Sequence, residues 1–165
     1  MKFNLVIVLF FTLILASCRK DSNILPELQG CSYIQNTDLF YCPECFMPYK
    51  QYEAGVVIRN TDSYNSFGDS LNSHAKFLQV DCDTTTLIPI DFTKYTLIGI
   101  FSSFGACDVI TRKIQSDSTT QNIIYTITIK KHRGECTLNL LISMNFALIP
   151  KLPDNWNVVF DVKSE

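Results

Sequence analysis

Between Ile123 and Phe146, apolar and polar side chains change places at nearly every step, and this alternation narrows the fold more than any other feature of the chain. In the first run Tyr125, Ile127 and Ile129 alternate with Thr126, Thr128 and Lys130. In the second, Cys136, Leu138, Leu140, Ile142, Met144 and Phe146 share one face, while Thr137, Asn139, Ser143 and Asn145 share the other with Leu141. Successive strand side chains point to opposite faces, so a period of two means strands with one face buried. Between the runs, His132-Arg133-Gly134-Glu135 carries the glycine a tight turn needs, which predicts that Ile123–Lys131 and Cys136–Phe146 pair as an antiparallel hairpin.

Upstream, Tyr95–Ser103 is continuously apolar and β-branched, as suits a central strand. Val109–Gln115 alternates weakly before a turn-rich stretch, and Trp156–Val162 closes the sheet. A short strand at Gly55–Arg59 precedes the one helix candidate, which starts at Asn60, Thr61 or Asp62, all good N-caps. Tyr64, Phe67, Leu71 and Ala75 fall there at spacings of three and four. Gly68 and several Ser and Asn residues weaken this helix in isolation, so tertiary packing has to hold it. The pattern predicts an α+β fold: a mostly antiparallel sheet of about five or six strands with one packed helix, disulfide-braced, and irregular loops at 79–93 and 147–155.

The N-terminus fixes the compartment. Lys2 supplies a positive start, and Leu5–Leu15 is apolar apart from Thr12, too short to span a bilayer. The tetrad Leu15-Ala16-Ser17-Cys18 resembles the bacterial lipoprotein signal, in which the cysteine is acylated and becomes the first residue after cleavage. Residues 1–17 are then a lipoprotein signal peptide, 18–30 the lipidated Cys18 and a polar tether, and 31–165 a single domain. Several acyl chains, palmitate among them, at ~0.8 kcal/mol per buried methylene anchor a chain firmly without crossing the membrane. Arg19, where an aspartate would retain the protein, resembles the sorting pattern for an outer membrane, on the periplasmic face or the cell surface.

Composition matters mainly for partners. Lys and Arg number 14 against 16 Asp and Glu, a net charge of −2, and loss of Lys2 with the leader makes the mature form more negative. No basic patch for nucleic acid is expected; the expected partners are the membrane, through the lipid, and another envelope or surface protein. With Cys18 acylated, Cys31, Cys42, Cys45, Cys82, Cys107 and Cys136 remain, an even set in an oxidising space, and all six are expected in disulfides. A Cys107–Cys136 bridge between neighbouring strands and a local bridge from Cys31 to Cys42 or Cys45 are the pairings suggested, each worth ~2–4 kcal/mol.

Chemistry-bearing motifs are few. Cys42-Pro43-Glu44-Cys45 has redox spacing, but Glu44 opposes a thiolate and Pro48 interrupts any activating helix. As half a zinc site it lacks a second pair, and neither His74 nor His132 stands near a cysteine at finger spacing. Both histidines read as solvated surface. Asp81 and Asp83, with Asp91, lack the glycine and terminal glutamate of a calcium loop and read as loop caps. The aromatics Phe40, Tyr41, Phe46, Tyr49 and Tyr52 read as a satellite core under the disulfides, and Trp156 as buried at a strand start.

In order, Gly55-Val56-Val57-Ile58-Arg59 running into the helix, Asp91-Phe92 before the long apolar strand, Pro150-Lys151, and Trp156–Val162 resemble the C-terminal domain of the bacterial protease complex subunit PrcB family, over about two-thirds of the chain. At 103–107 the chain has Ser103-Phe104-Gly105-Ala106-Cys107 where that family carries a glycine-rich turn. The resemblance implies an accessory lipoprotein domain that binds or stabilises a partner, with no catalytic residue to carry over, and no metal or cofactor is expected from the residues themselves. A non-enzymatic, protein-binding envelope lipoprotein is therefore expected. The alternatives are an envelope thiol-disulfide oxidoreductase using Cys42 and Cys45, or a carbohydrate-binding lipoprotein.

Overall fold

The structure, a computed structural model, describes residues 25–34, 54–78, 87–134 and 140–165. Among them the chain forms β1 (Ser32–Ile34), β2 (Val56–Ile58), α1 (Thr61–Leu78), β3 (Tyr95–Gly105), β4 (Val109–Asp117), β5 (Asn122–Lys130), β6 (Leu140–Pro150) and β7 (Asn157–Ser164). The fold is α+β and mostly β, but the strands divide between two sheets instead of one. The first is antiparallel, in the order β1-β6-β3-β2. In the second, β4-β5-β7, the β4–β5 pair is antiparallel and the β5–β7 pair parallel.

The four-stranded sheet is the middle of three layers. Leu97, Met144 and Phe146 face α1 and meet Tyr64, Phe67 and Leu71. Ile98, Ile100, Ala147 and Ile149 face the three-stranded sheet and meet Ile114, Ile123, Tyr125, Ile127 and Ile129. A strand covered on both faces reads as a continuous apolar run, which is why β3 does not alternate. Each large side chain fully buried here, such as Leu97 or Phe146, contributes ~1.5–3 kcal/mol by leaving water. β5 keeps its period of two because its outer face, Ile124, Thr126 and Thr128, remains partly open to solvent.

Three expectations are corrected. The hairpin between the two alternating runs does not form: β5 pairs with β4 and β7, whereas β6 pairs with β3 over its whole length. Both strands need buried faces, and they bury them across the sandwich from each other. Asn145, assigned to a polar outer face, is fully buried, because that face of β6 is covered by the second sheet. Its side-chain amide donates to Ser102 Oγ at 2.7 Å and Ile100 O at 3.2 Å, while Asn145 Oδ1 has no partner among the described residues. Residues 147–150, placed in a loop, continue β6.

Local chemistry explains α1. Asn60 Oδ1 accepts from the Ser63 N–H at 2.8 Å, capping the helix, and Asp62 in the first turn complements its dipole. Gly68, a weakness in an isolated helix, has a use here: a Cβ at that position would lie 2.8 Å from Leu87 Cδ1, so its absence lets the 87–90 segment dock. That docking is reinforced by the Tyr64 hydroxyl donating to Ile88 O at 3.1 Å. Gly99 works similarly within the sheet. It lies opposite Phe146, and a Cβ there would come within 2.6 Å of the Phe146 ring. Arg59 ties the layers together, donating from Nη1 to Pro153 O at 2.8 Å and from Nη2 to Trp156 O at 2.6 Å, and so fixes the link between β6 and β7. No helix among the described residues is long and apolar enough to cross a membrane.

Candidate functional site

Two places at the margin of the three-stranded sheet concentrate unspent interactions: its β7 edge, and a cleft at the end where β5 and β7 finish and β4 begins.

The sheet treats its edges differently. Along β4, the segment 25–28 adds itself as a short extra strand: Glu27 bridges to Gln115, Leu28 N–H donates to Ile114 O at 2.9 Å, and Ser116 N–H donates to Pro26 O at 3.1 Å. Residues 25–28, expected in the tether, are thus hydrogen-bonded to the body. No described residue covers the other edge, β7. Asn157 N–H donates to Gln121 O, Glu165 N–H to Ile129 O, and Glu165 O accepts from Lys131 N–H. In a parallel ladder alternate residues bond the neighbour, so 158, 160, 162 and 164 turn their N–H and C=O outward. Val159 and Val162 are 44% and 42% exposed, while Asp161 and Lys163 pair with each other at 3.0 Å.

The cleft starts from the corner between β3 and β4. Asp108 N–H donates to Gly105 O at 3.0 Å, and Asp108 Oδ2 accepts from Gly105 N–H at 2.7 Å, closing the turn. The same carboxylate accepts from the His132 N–H at 3.0 Å and the Lys131 ammonium at 3.0 Å. These donors, the His132 and Gly105 amides before Lys131, hold the Asp108 carboxyl down at about 2. Asp108 therefore fixes the backbone of the segment leaving β5. Beside it opens a cleft of about 690 Å³, lined by Cys107, Val109, the basic run 130–133 and Glu165. Lys131 is committed to Asp108. Lys130 and Arg133 have no carboxylate partner among the described residues.

Cys31 is corrected: it is a free thiol, not half of a disulfide. Its Sγ–H donates to Leu28 O at 3.3 Å, and burial, then Glu27, pushes its ionisation up, which disfavours the thiolate. Cys107 is disulfide-bonded. Cys18, Cys42, Cys45, Cys82 and Cys136 lie outside the described residues, as do Asp81, Asp83 and the aromatics at 40–52. His74 falls in α1, its side chain outside what is described. Asp91 caps the turn into β3, accepting from Thr93 and pairing with Lys94 at 3.1 Å. Trp156 packs, partly buried, on the inter-sheet core.

His132 is exposed, as read from the sequence, and lines the same hollow as Lys130, Lys131 and Arg133. Asp108 escaped notice in the sequence, and the available signal was the run Lys130-Lys131-His132-Arg133 in a chain of net negative charge. No group of three or more His, Cys, Asp or Glu side chains that could hold a metal occurs among the described residues. No protein-family model matches the chain, and comparison with curated proteins and with solved structures returns no significant similarity.

Proposed function

We propose that this protein is a lipoprotein held to an outer membrane by an acylated Cys18, and that its body is a non-enzymatic module that binds an extended segment of another envelope or surface protein. The observation that carries the reading is the unequal treatment of the two edges of the β4-β5-β7 sheet. Natural sheets blunt their edges because a row of free N–H and C=O groups templates another strand. The chain's own segment 25–28 closes one edge by that route, and β7 offers its outward backbone groups and two exposed valines for the same mode of strand addition. The tetrad ending at Cys18 supports the anchor, and the resemblance to the PrcB family supports an accessory role beside a protease.

Disulfides among the remaining cysteines belong to the same proposal, with Cys107 pairing to Cys136 as the favoured bridge. With Cys18 acylated, Cys31 free and Cys107 bonded, an odd set of five is left, so one of Cys42, Cys45, Cys82 and Cys136 stays outside intramolecular pairing.

The test is site-specific photo-crosslinking in intact cells from Val159 and Val162, compared with Val109 on β4. A single partner captured from both β7 positions and not from Val109 is expected. Val162→Pro removes an outward N–H without touching the β5–β7 ladder, and proline is tolerated at such edge positions. It is expected to abolish the crosslink from Val159 while the protein stays folded. An unchanged crosslink in that variant, or none from either valine, would refute strand addition. Mass spectrometry of the mature N-terminus tests the anchor, and an unacylated Cys18 would refute it.

A further inference from the structure

We propose that the cleft at the end of β5 is a binding site for a phosphate monoester, taken up by Lys130, His132 and Arg133. This goes beyond the protein-binding reading and involves different residues from the β7 edge. Three observations converge on it.

First, the cations are gathered against the overall charge. The chain is net negative, yet four consecutive basic residues line one hollow, and among the described residues its acidic lining is Glu165 alone. Second, the counter-charge that would otherwise silence the cluster is already spent. Asp108 is nearly buried, its side chain 8% exposed, and its oxygens are taken by Lys131 and by the Gly105 and His132 amides. It neutralises one cation and leaves Lys130 and Arg133 without a carboxylate among the described residues. Third, the segment is held in place before any ligand arrives. Lys131 N–H donates to Glu165 O at 2.9 Å, and His132 N–H donates to Asp108 Oδ1 at 3.0 Å, so little backbone ordering is left to the binding step.

A guanidinium offers a planar fork to two oxygens, an ammonium a compact point charge, and an imidazole N–H a further donor. Such a set suits a tetrahedral, doubly charged oxyanion better than a planar, singly charged carboxylate. The volume, about 690 Å³, accommodates a phosphate together with the group that carries it. That carrier is either a lipid head or a soluble small molecule.

The experiment measures thermal unfolding of the native full-length protein in nonionic detergent at constant ionic strength. One arm adds glycerol 3-phosphate, another adds phosphatidic acid to the micelles, and a third adds sodium chloride alone. The expected result is stabilisation by a phosphate monoester over the chloride control, with the responding arm identifying the source as soluble or lipid. In Lys130→Gln/Arg133→Gln, both substitutions at surface positions outside the core, binding is expected to weaken by at least about tenfold, as for losing one charge-assisted hydrogen bond. Glu165→Gln is expected to tighten it by removing an opposing charge from the lining. No stabilisation beyond chloride in either phosphate arm, or stabilisation undiminished in the double variant, would overturn the proposal.

Discussion

Tyr125 and Tyr64 invite the same substitution with opposite outcomes. Tyr125 is fully buried between the sheets, its ring 6.4 Å from Tyr33 and 6.3 Å from Phe160, and its hydroxyl has no hydrogen-bond partner among the described residues. A hydroxyl taken from water without compensation costs ~1–3 kcal/mol. Removing that oxygen in Tyr125→Phe keeps the aromatic contacts and is expected to raise stability by ~1–2 kcal/mol. For a chain of this length that corresponds to a midpoint higher by roughly 2–8 °C. Tyr64 is nearly as buried, but its hydroxyl donates to Ile88 O. Tyr64→Phe deletes that bond and strands the carbonyl, so the expected change is a loss of ~0.5–1.5 kcal/mol. Urea unfolding of the two variants beside the wild type measures both, with unchanged denaturant slopes confirming that the same surface is exposed. If Tyr125→Phe lost stability as Tyr64→Phe does, the Tyr125 hydroxyl would have to be satisfied in solution, and the account of this part of the core would be wrong.

Three further outcomes are expected. Gly99→Ala drives a methyl group to within 2.6 Å of the Phe146 ring and 3.2 Å of Val56 Cγ1, and should cost ~1–3 kcal/mol; Phe146→Leu should recover part of that loss, so a double-mutant cycle in urea that came out additive would exclude the clash. Arg59→Lys replaces a fork reaching two carbonyls with a single point donor and is expected to lose ~1.5–3 kcal/mol, with faster amide exchange at 153–157 as the local readout. The Asp108 carboxyl titrates at about 2 when folded against 3.8 ordinarily, so it binds its proton less readily in the native state. Its stabilisation is complete above roughly pH 4 and is lost as the pH falls towards 2, and Asp108→Asn should flatten the stability profile across that window.

What the sequence made legible follows from which faces meet water. The alternation of β5 was readable because one of its faces stays partly solvated, and α1 because Tyr64, Phe67 and Leu71 form a single stripe. The long apolar run of β3 indicated a central strand, and β3 lies between β6 and β2. Pairing was not legible. His132-Arg133-Gly134-Glu135 has the composition of a hairpin turn, but whether two strands become neighbours or face each other across a core is decided by distant residues that compete for the same apolar surface. Asn145 was misplaced for a related reason: a polar residue in an alternating run signals solvent unless a second sheet lies over it. The cleft was half legible. The basic run stood in plain view, yet nothing local indicated that Asp108, more than twenty positions earlier, would absorb Lys131. Cys31 escaped the cysteine arithmetic because its fate is set by a turn that aims the thiol at Leu28 O.

The parallel alignment of β5 with β7 reaches beyond hydrogen bonding, because the polymer between them visits the opposite sheet as β6. The backbone therefore changes sheet twice between β5 and β7 to finish one three-stranded unit, and neither half of the sandwich can be assembled from an uninterrupted stretch of residues. An intermediate retaining a complete β4-β5-β7 sheet while the other dissolves would leave β6 dangling between two anchored ends. The architecture thus joins the fates of both halves, and favours a body that opens as a whole or not at all.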